Sequence, residues 1–358
     1  MSTGNESAFT LLPDLAVRSL GGAVVWANDE SFAEKENLIR PEPSSFSAES
    51  FGHKGKVYDG WETRRRRRPG GEAPADDDCD EAVVRLGVPG VIRGVVVDTA
   101  WFKGNYPPEI SVEAIAVEGY PPADEIAARP GWVPIVARAK VEGDAANAFT
   151  VDSERRFTHV RLRMYPDGGV ARLRVHGEAK PDLRRLGSGR FDLAALENGG
   201  RVTDCSNRFY SSPQNLLLPD RPRIMGEGWE TARRRGGGND WVQVRLAGEG
   251  VLDTVEIDTS YFLFNSPGAA RLTGRRADGG EVELLPRTTL QPDTRHHFPI
   301  DVAEPVTEVR LDVYPDGGFA RLRVYGTLTE SARAQLAAEP LFGALADDAL
   351  DRLRDGRQ

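Results

Sequence analysis

The phrase YPDGGVARLRVHG at residues 165–177 returns as YPDGGFARLRVYG at residues 314–326, and it is the last line of a correspondence running through most of the chain. DLAVRSLGGAVVWANDESFAEKENLI (14–39) aligns without a gap to DLAALENGGRVTDCSNRFYSSPQNLL (192–217). VYDGWETRRRRR (57–68) then meets IMGEGWETARRR (224–235), and VVRLGVPGVIRGVVVDTAWFKGNYP (83–107) meets VQVRLAGEGVLDTVEIDTSYFLFNSP (242–267). A repeat on the order of 100 residues or more is too long for a solenoid or propeller unit and has the size of a domain. The 358-residue chain is therefore expected to fold the same way twice, with residues 1–180 as the first repeat and 181–328 as the second.

The offset between the repeats falls from 178 residues to 149, so the first carries longer loops. The extra residues fall at HKGK, RPGGEAPADDDCD and EGYPPADEIAARP, whose glycine, proline and acid content reads as surface insertion. Residues 329–358 differ from both repeats. ESARAQLAAEPLFGALADDALDRLRD is rich in Ala and Leu at spacings of three and four, and predicts a helical C-terminal tail.

Within a repeat the period is two. VIRGVVVD (91–98) and VLDTVEID (251–258) are β-branched runs, as are HVRLRMY and EVRLDVY. Leu173, Val175, Leu322 and Val324 alternate with Arg172, Arg174, Arg321 and Arg323, which puts apolar groups on one face and guanidinium groups on the other. PDGG between two such strands reads as a tight hairpin turn, with Asp167 and Asp316 bonding their own backbone. Short strands, long irregular loops and few helices predict an all-β protein of two tandem jelly-roll β-sandwiches.

Charge narrows the partners. Lys and Arg number 46 against 55 Asp and Glu, a formal balance of −9, which argues against a nucleic-acid protein. Cys79 and Cys205 are the only cysteines, so neither a disulfide framework nor a Cys-rich zinc motif is expected. The opening residues MSTGNESAFT lack a charged start followed by an apolar run, and no apolar stretch is long enough for a bilayer. The expectation is a cytoplasmic protein with no membrane partner.

No G-x-S-x-G, P-loop or H-E-x-x-H motif is present. The stronger signal is Trp61, Glu62, Thr63 and Arg65–Arg67, matched by Trp229, Glu230, Thr231 and Arg233–Arg235. An arginine in such a setting can grip a carboxylate through two parallel hydrogen bonds, while a neighbouring glutamate holds the guanidinium or moves a proton. The alternative is an intramolecular Arg–Glu network pinning a loop. Asp98 and Asp258 each end a predicted strand, and Asn105 and Asn265 lie in the loop beyond, where amide and acid groups suit a small polar ligand. Of the five histidines, His53, His159, His176, His296 and His297, the adjacent pair in QPDTRHHFPID is the candidate for proton transfer; its counterparts are Asn147 and Ala148.

At these residues the sequence resembles the allantoicase family. The resemblance rests on LGG-x-V with NDESFA and ENLI, on DGWETRRRR, on GVIRGVVVDTAWFKGNYPP, on RFTHVRLRMYPDGGVARLRVHG, and on second-repeat counterparts including LLPRTTLQPDTRHHF; it covers roughly residues 9–328. It implies galactose-binding-like jelly rolls, hydrolysis of allantoate to ureidoglycolate and urea downstream of allantoin ring opening, and a homo-oligomer. Two departures stand out: ANDESFAEKEN lacks the two aromatics the family more often shows before the Ala, and AANAF replaces TRHHF in the first repeat.

The reaction implied asks for a guanidinium on the carboxylate, amides reading the ureido groups, and an acid–base group for the departing urea. Arg65 or Arg233 is the expected clamp, with Asn105 or Asn265 as reader. Glu62, Glu230, His296 or His297 is the expected proton carrier, and Trp61, Trp229, Asp98 and Asp258 complete the expected substrate contacts. No cofactor is expected and no metal is assigned. Rival readings are a non-catalytic ligand-binding module, a hydrolase of ureidoglycolate, and a first repeat that is purely structural.

Overall fold

A computed structural model describes residues 8–182 and 189–338, and the chain parts into two compact units between Lys180 and Pro181. Each unit is an antiparallel jelly-roll sandwich built round one 19-residue strand, Asp80–Asp98 in the first and Asp240–Asp258 in the second. The sequence suggested only the second half of each as a strand. GVPG and AGEG lie inside that strand and let it turn from one layer into the other.

The first half of Asp80–Asp98 pairs with Ala23–Ala27 and Arg156–Tyr165; the second half pairs with Ala146–Thr150 and Arg172–Ala179. At the corner a side chain has no room, since a Cβ on Gly90 would lie 2.3 Å from the Glu178 carbonyl oxygen. Asp240–Asp258 repeats the arrangement with Arg201–Cys205 and Val306–Tyr314 in one layer, and Arg295–Pro299 and Arg321–Leu328 in the other. A Cβ on Gly250 would meet Leu193 at 2.4 Å.

Between the layers lie Val95, Val97, Leu162, Leu173 and Val175 in one unit, and Val255, Ile257, Leu311, Leu322 and Val324 in the other, all fully buried. The predicted alternation therefore holds for the apolar face. The guanidinium face departs from it, because Arg172 and Arg321 are buried too. Arg172 donates to the carbonyls of Glu42 and Asp59 and to the Asp59 carboxylate, at 2.9, 3.1 and 2.8 Å. Arg321 donates to the carbonyls of Asp220 and Glu227 at 2.7 and 2.8 Å. Each arginine thus ties the outer face of the sandwich to the segment leading into Trp–Glu–Thr. Burial is costly enough to lower the Arg321 pKa to about 10, with Arg323 adding repulsion.

The YPDGG segment is not a hairpin. Arg156–Tyr165 and Arg172–Ala179 pair with opposite halves of the long strand and not with one another, so the segment crosses between layers. On the way its Gly169–Val170 forms a two-stranded ribbon with Trp61–Glu62, and Gly318–Phe319 does the same with Trp229–Glu230. The insertion at 118–130 contains one short helix, Ala123–Ala128. A second helix, Glu330–Ala338, begins the predicted helical tail, whose remainder lies outside the described residues.

Candidate functional site

The two phrases most strongly repeated in the sequence fasten one another. The Thr63 hydroxyl exchanges hydrogen bonds with Gly168, donating to its carbonyl at 3.4 Å and accepting its N–H at 3.3 Å. The Arg66 N–H donates to Asp167 Oδ2 at 2.7 Å, and the Arg66 side chain runs on to the Cys79 carbonyl and to Asp80, which is almost fully buried. Thr231, Gly317, Arg234, Asp316 and Asp240 repeat these bonds in the second unit. Asp167 and Asp316 therefore cap the arginine loop and do not bond their own turn. Asp80 and Asp240 are buried while the guanidinium groups reach them from the half-exposed loop, so the Arg66–Asp80 and Arg234–Asp240 pairs tie each loop to the long strand.

The ribbon alternates, and so places Trp61 inward and Glu62 toward the loop that follows the long strand. Asn105 Nδ2 donates to Glu62 Oε1 at 2.9 Å, and Asn265 Nδ2 donates to Glu230 Oε1 at 2.7 Å. Position is fixed on both sides, because the Gly169 N–H donates to the Asn105 carbonyl and the Gly318 N–H to that of Asn265, each at 2.8 Å. Burial raises the Glu62 pKa and the Asn105 amide only partly opposes it. Two of the expected residue pairs, Glu62 with Asn105 and Glu230 with Asn265, are thus brought together.

Arg65 and Arg233 each follow three residues after the glutamate, are exposed, and have no hydrogen-bond or ion-pair partner among the described residues. An Arg–Glu network at this point would have consumed them. The pairing that does occur uses their neighbours: Arg66 and Arg234 as above, and Arg64 with Asp29.

Other expected contacts fall elsewhere. Trp61 and Trp229 are 0 % exposed, and their indole N–H groups donate to the carbonyls of Asp29 and Asn207 at 2.8 and 2.9 Å. They are core anchors beneath the site and cannot touch a ligand. Asp98 and Asp258 accept the N–H of Ala100 and Ser260, each at 2.8 Å, and make no hydrogen bond to either Glu–Asn pair. They stabilise the turn that opens the loop. Burial raises the Asp98 pKa against the opposing Ala100 N–H and the charges of Arg174 and Arg172.

His296 is a structural pin. The Gln291 N–H donates to its Nε2 at 2.9 Å, so the ring proton sits on Nδ1 and reaches the Ile257 carbonyl at 3.0 Å. Asn147 makes the same two bonds in the first unit, donating to Val97 at 3.1 Å and accepting from Glu142 at 2.8 Å. Asn147 therefore supplies in AANAF the same two bonds that His296 supplies in TRHHF. His296→Asn is expected to leave urea-induced unfolding within about 0.5 kcal/mol of the parent, whereas His296→Leu leaves two groups unpaired and should cost about 1–3 kcal/mol. Equal losses would contradict the isosteric exchange. His297 points to the other side of the strand, 3.7 Å from Glu256, which Arg295 already holds by two bonds of 2.9 and 2.8 Å. Among the described residues it makes no hydrogen bond or ion pair with Glu230.

Sequence reading missed Asp80 and Asp240, and placed Arg172 and Arg321 on an outer face without their burial; all four lie beneath the Trp–Glu–Thr segment, and their repetition in both halves was the available signal. Among the described residues no group of three or more His, Cys, Asp or Glu side chains could hold a metal ion.

Comparison with known proteins agrees with this duplicated construction. The family model described as the allantoicase repeat matches residues 13–180 and 191–329. A protein of Nocardia farcinica named probable allantoicase is 66 % identical over 321 residues, covering 89 % of this chain and 95 % of that protein. The Dictyostelium discoideum allantoicase is 38 % identical over 332 residues, covering 89 % of this chain and 88 % of its own length. The crystal structure of allantoicase from Saccharomyces cerevisiae superposes with a TM-score of 0.77 at 33 % identity, over 91 % of this chain and 98 % of that one. With both repeats matched and the relatives spanned nearly end to end, the chain belongs to the allantoicase family.

Proposed function

We propose that the chain hydrolyses allantoate to ureidoglycolate and urea, with the Glu–Asn pairs as proton carrier and reader and the unpaired arginines as carboxylate clamps. The single observation that carries this reading is the pairing of a partly buried Glu62 with Asn105 beside an arginine that nothing else engages. Family membership supplies the substrate; the site supplies groups suited to it.

Allantoate holds a carboxylate and two ureido groups on one carbon. Breaking one C–N bond requires a proton on the departing urea nitrogen and a water-derived oxygen on the carbon. Glu62 keeps its proton to higher pH than an exposed glutamate, and so can give it to that nitrogen. The carboxylate left behind takes one proton from the incoming water, which restores the acid. Asn105 fixes Oε1, leaving Oε2 without a side-chain partner among the described residues to face the reacting atoms. Arg65, free to make two parallel bonds, would set the substrate's orientation.

A carboxylate–guanidinium contact contributes about 1.5–3 kcal/mol, so the double variant Arg65→Ala, Arg233→Ala is expected to raise KM for allantoate by roughly 10- to 100-fold, measured by urea release. Unchanged KM would remove these residues as clamps. Absence of urea release by the parent protein, with allantoate still binding, would favour a binding module in its place. The resemblance further suggests a cytoplasmic homo-oligomer, for which sedimentation of the purified protein is the direct test; among the described residues no helix is long and apolar enough to cross a membrane.

A further inference from the structure

Because the Thr–Gly, Arg–Asp and Glu–Asn bonds under the two sites are repeated, the repeats act as controls for one another where their rims differ. In the first, Arg64 pairs with Asp29, Arg65 is free, and Lys103 stands in the loop just before Asn105, with its ammonium 3.4 Å from Asp144 and a side chain that is largely exposed. The matched positions in the second are Ala232, Asn207, Arg233 and Leu263. Asp293, the counterpart of Asp144, still accepts the N–H of Tyr261 but has no ion-pair partner among the described residues.

Gly104 is matched by Phe264, which is 100 % exposed directly before Asn265, and Lys103 by exposed Leu263; Tyr261 and its counterpart Trp101 are exposed alike. Met225 sulfur lies 3.3 Å from the Asn265 amide and is itself half-exposed. Phe209 and Tyr210, packed edge to face at 4.8 Å, occupy the places of Ser31 and Phe32. The loop is not loose, since Phe262 at its base is fully buried against Gly228 and Gly318. Its apolar tip is therefore held beside the Glu–Asn pair.

A small carboxylate gains from cations at the rim and loses where hydrophobic groups strip its water without offering a bond. We infer that the two sites are not equivalent: the first repeat turns over the anionic substrate with Lys103 as a specificity-determining second cation, and the apolar rim of the second excludes it from turnover. This rests on the Glu–Asn reading above and refines it. The raised pKa of Glu62, caused by burial, accords with the acid being poised in the first repeat.

Single substitutions in the full chain separate the possibilities, with thermal unfolding as the check on folding. Glu62→Gln should lower kcat at least about 100-fold, and Glu230→Gln less than about threefold. Lys103→Leu with Gly104→Phe gives the first rim the second's chemistry. A Cβ on Gly104 meets nothing within 4 Å, so this variant should fold, with KM raised about tenfold and a weaker dependence on salt. Comparable losses from Glu62→Gln and Glu230→Gln, or a larger loss from the latter, would overturn the inequivalence while leaving the Glu–Asn reading intact. Full activity in both single variants and in the double would overturn the reading itself.

Discussion

The double variant Glu62→Gln, Glu230→Gln is expected to lose about 10²–10⁴ in kcat while KM changes little. The amide keeps the size of the carboxyl and can still accept the Asn105 and Asn265 bonds through its oxygen, so the ribbon and loop stay in place. What is lost is the proton and its return. Rate against pH sharpens the test. Burial raises the Glu62 pKa, so an acid-dependent rate should fall as pH rises through a value above that of an exposed glutamate, and the double variant should lose this limb. A variant that kept both rate and pH profile would show that neither glutamate carries the proton.

Trp61→Ala is expected to cost about 3–5 kcal/mol in stability of the first unit, the range for deleting a fully buried large side chain. Packing is the larger part of this. The indole also donates to the Asp29 carbonyl, and Asp29 in turn accepts the Arg64 N–H, so its removal loosens the segment that carries Glu62. Denaturant unfolding of Trp61→Ala and Trp61→Phe separates the two contributions: the phenylalanine variant should retain most of the stability and lose about 0.5–1.5 kcal/mol for the missing hydrogen bond. A raised KM with unchanged stability would instead make Trp61 a substrate platform, which its complete burial opposes.

Trp61 also shows how chemical type misleads when burial is unknown. A tryptophan beside an acid and a run of arginines has the composition of a ligand mouth, and sequence alone gives no way to know that the ribbon turns the indole inward. The arginine run was similarly ambiguous. Its members alternate between structural ion pairs and free guanidinium groups, a division set by where Asp80 and Asp29 come to lie. Position in the repeat located the site; only contacts sorted its residues.

His296 illustrates the reverse case. Its identity suggested proton transfer, whereas its geometry is that of an amide, as Asn147 demonstrates in the other repeat. The same comparison explains why YPDGG was misread. Pro, Asp and two glycines do make a tight turn, but the turn joins two layers, and its partners are sequence-distant: 105 residues separate Thr63 from Gly168.

Sequence by itself determined that there would be two like domains, that they would be β-sandwiches with Leu173, Val175, Leu322 and Val324 inside, and it singled out Glu62 and Asn105 with their counterparts, which the fold brings into contact. Those properties follow from period and repetition, which a linear string records in full. The tertiary structure decided which arginines are free and which carboxylates are buried. Such properties depend on desolvation and on contacts between segments far apart in the chain, and they exist only once the layers have closed.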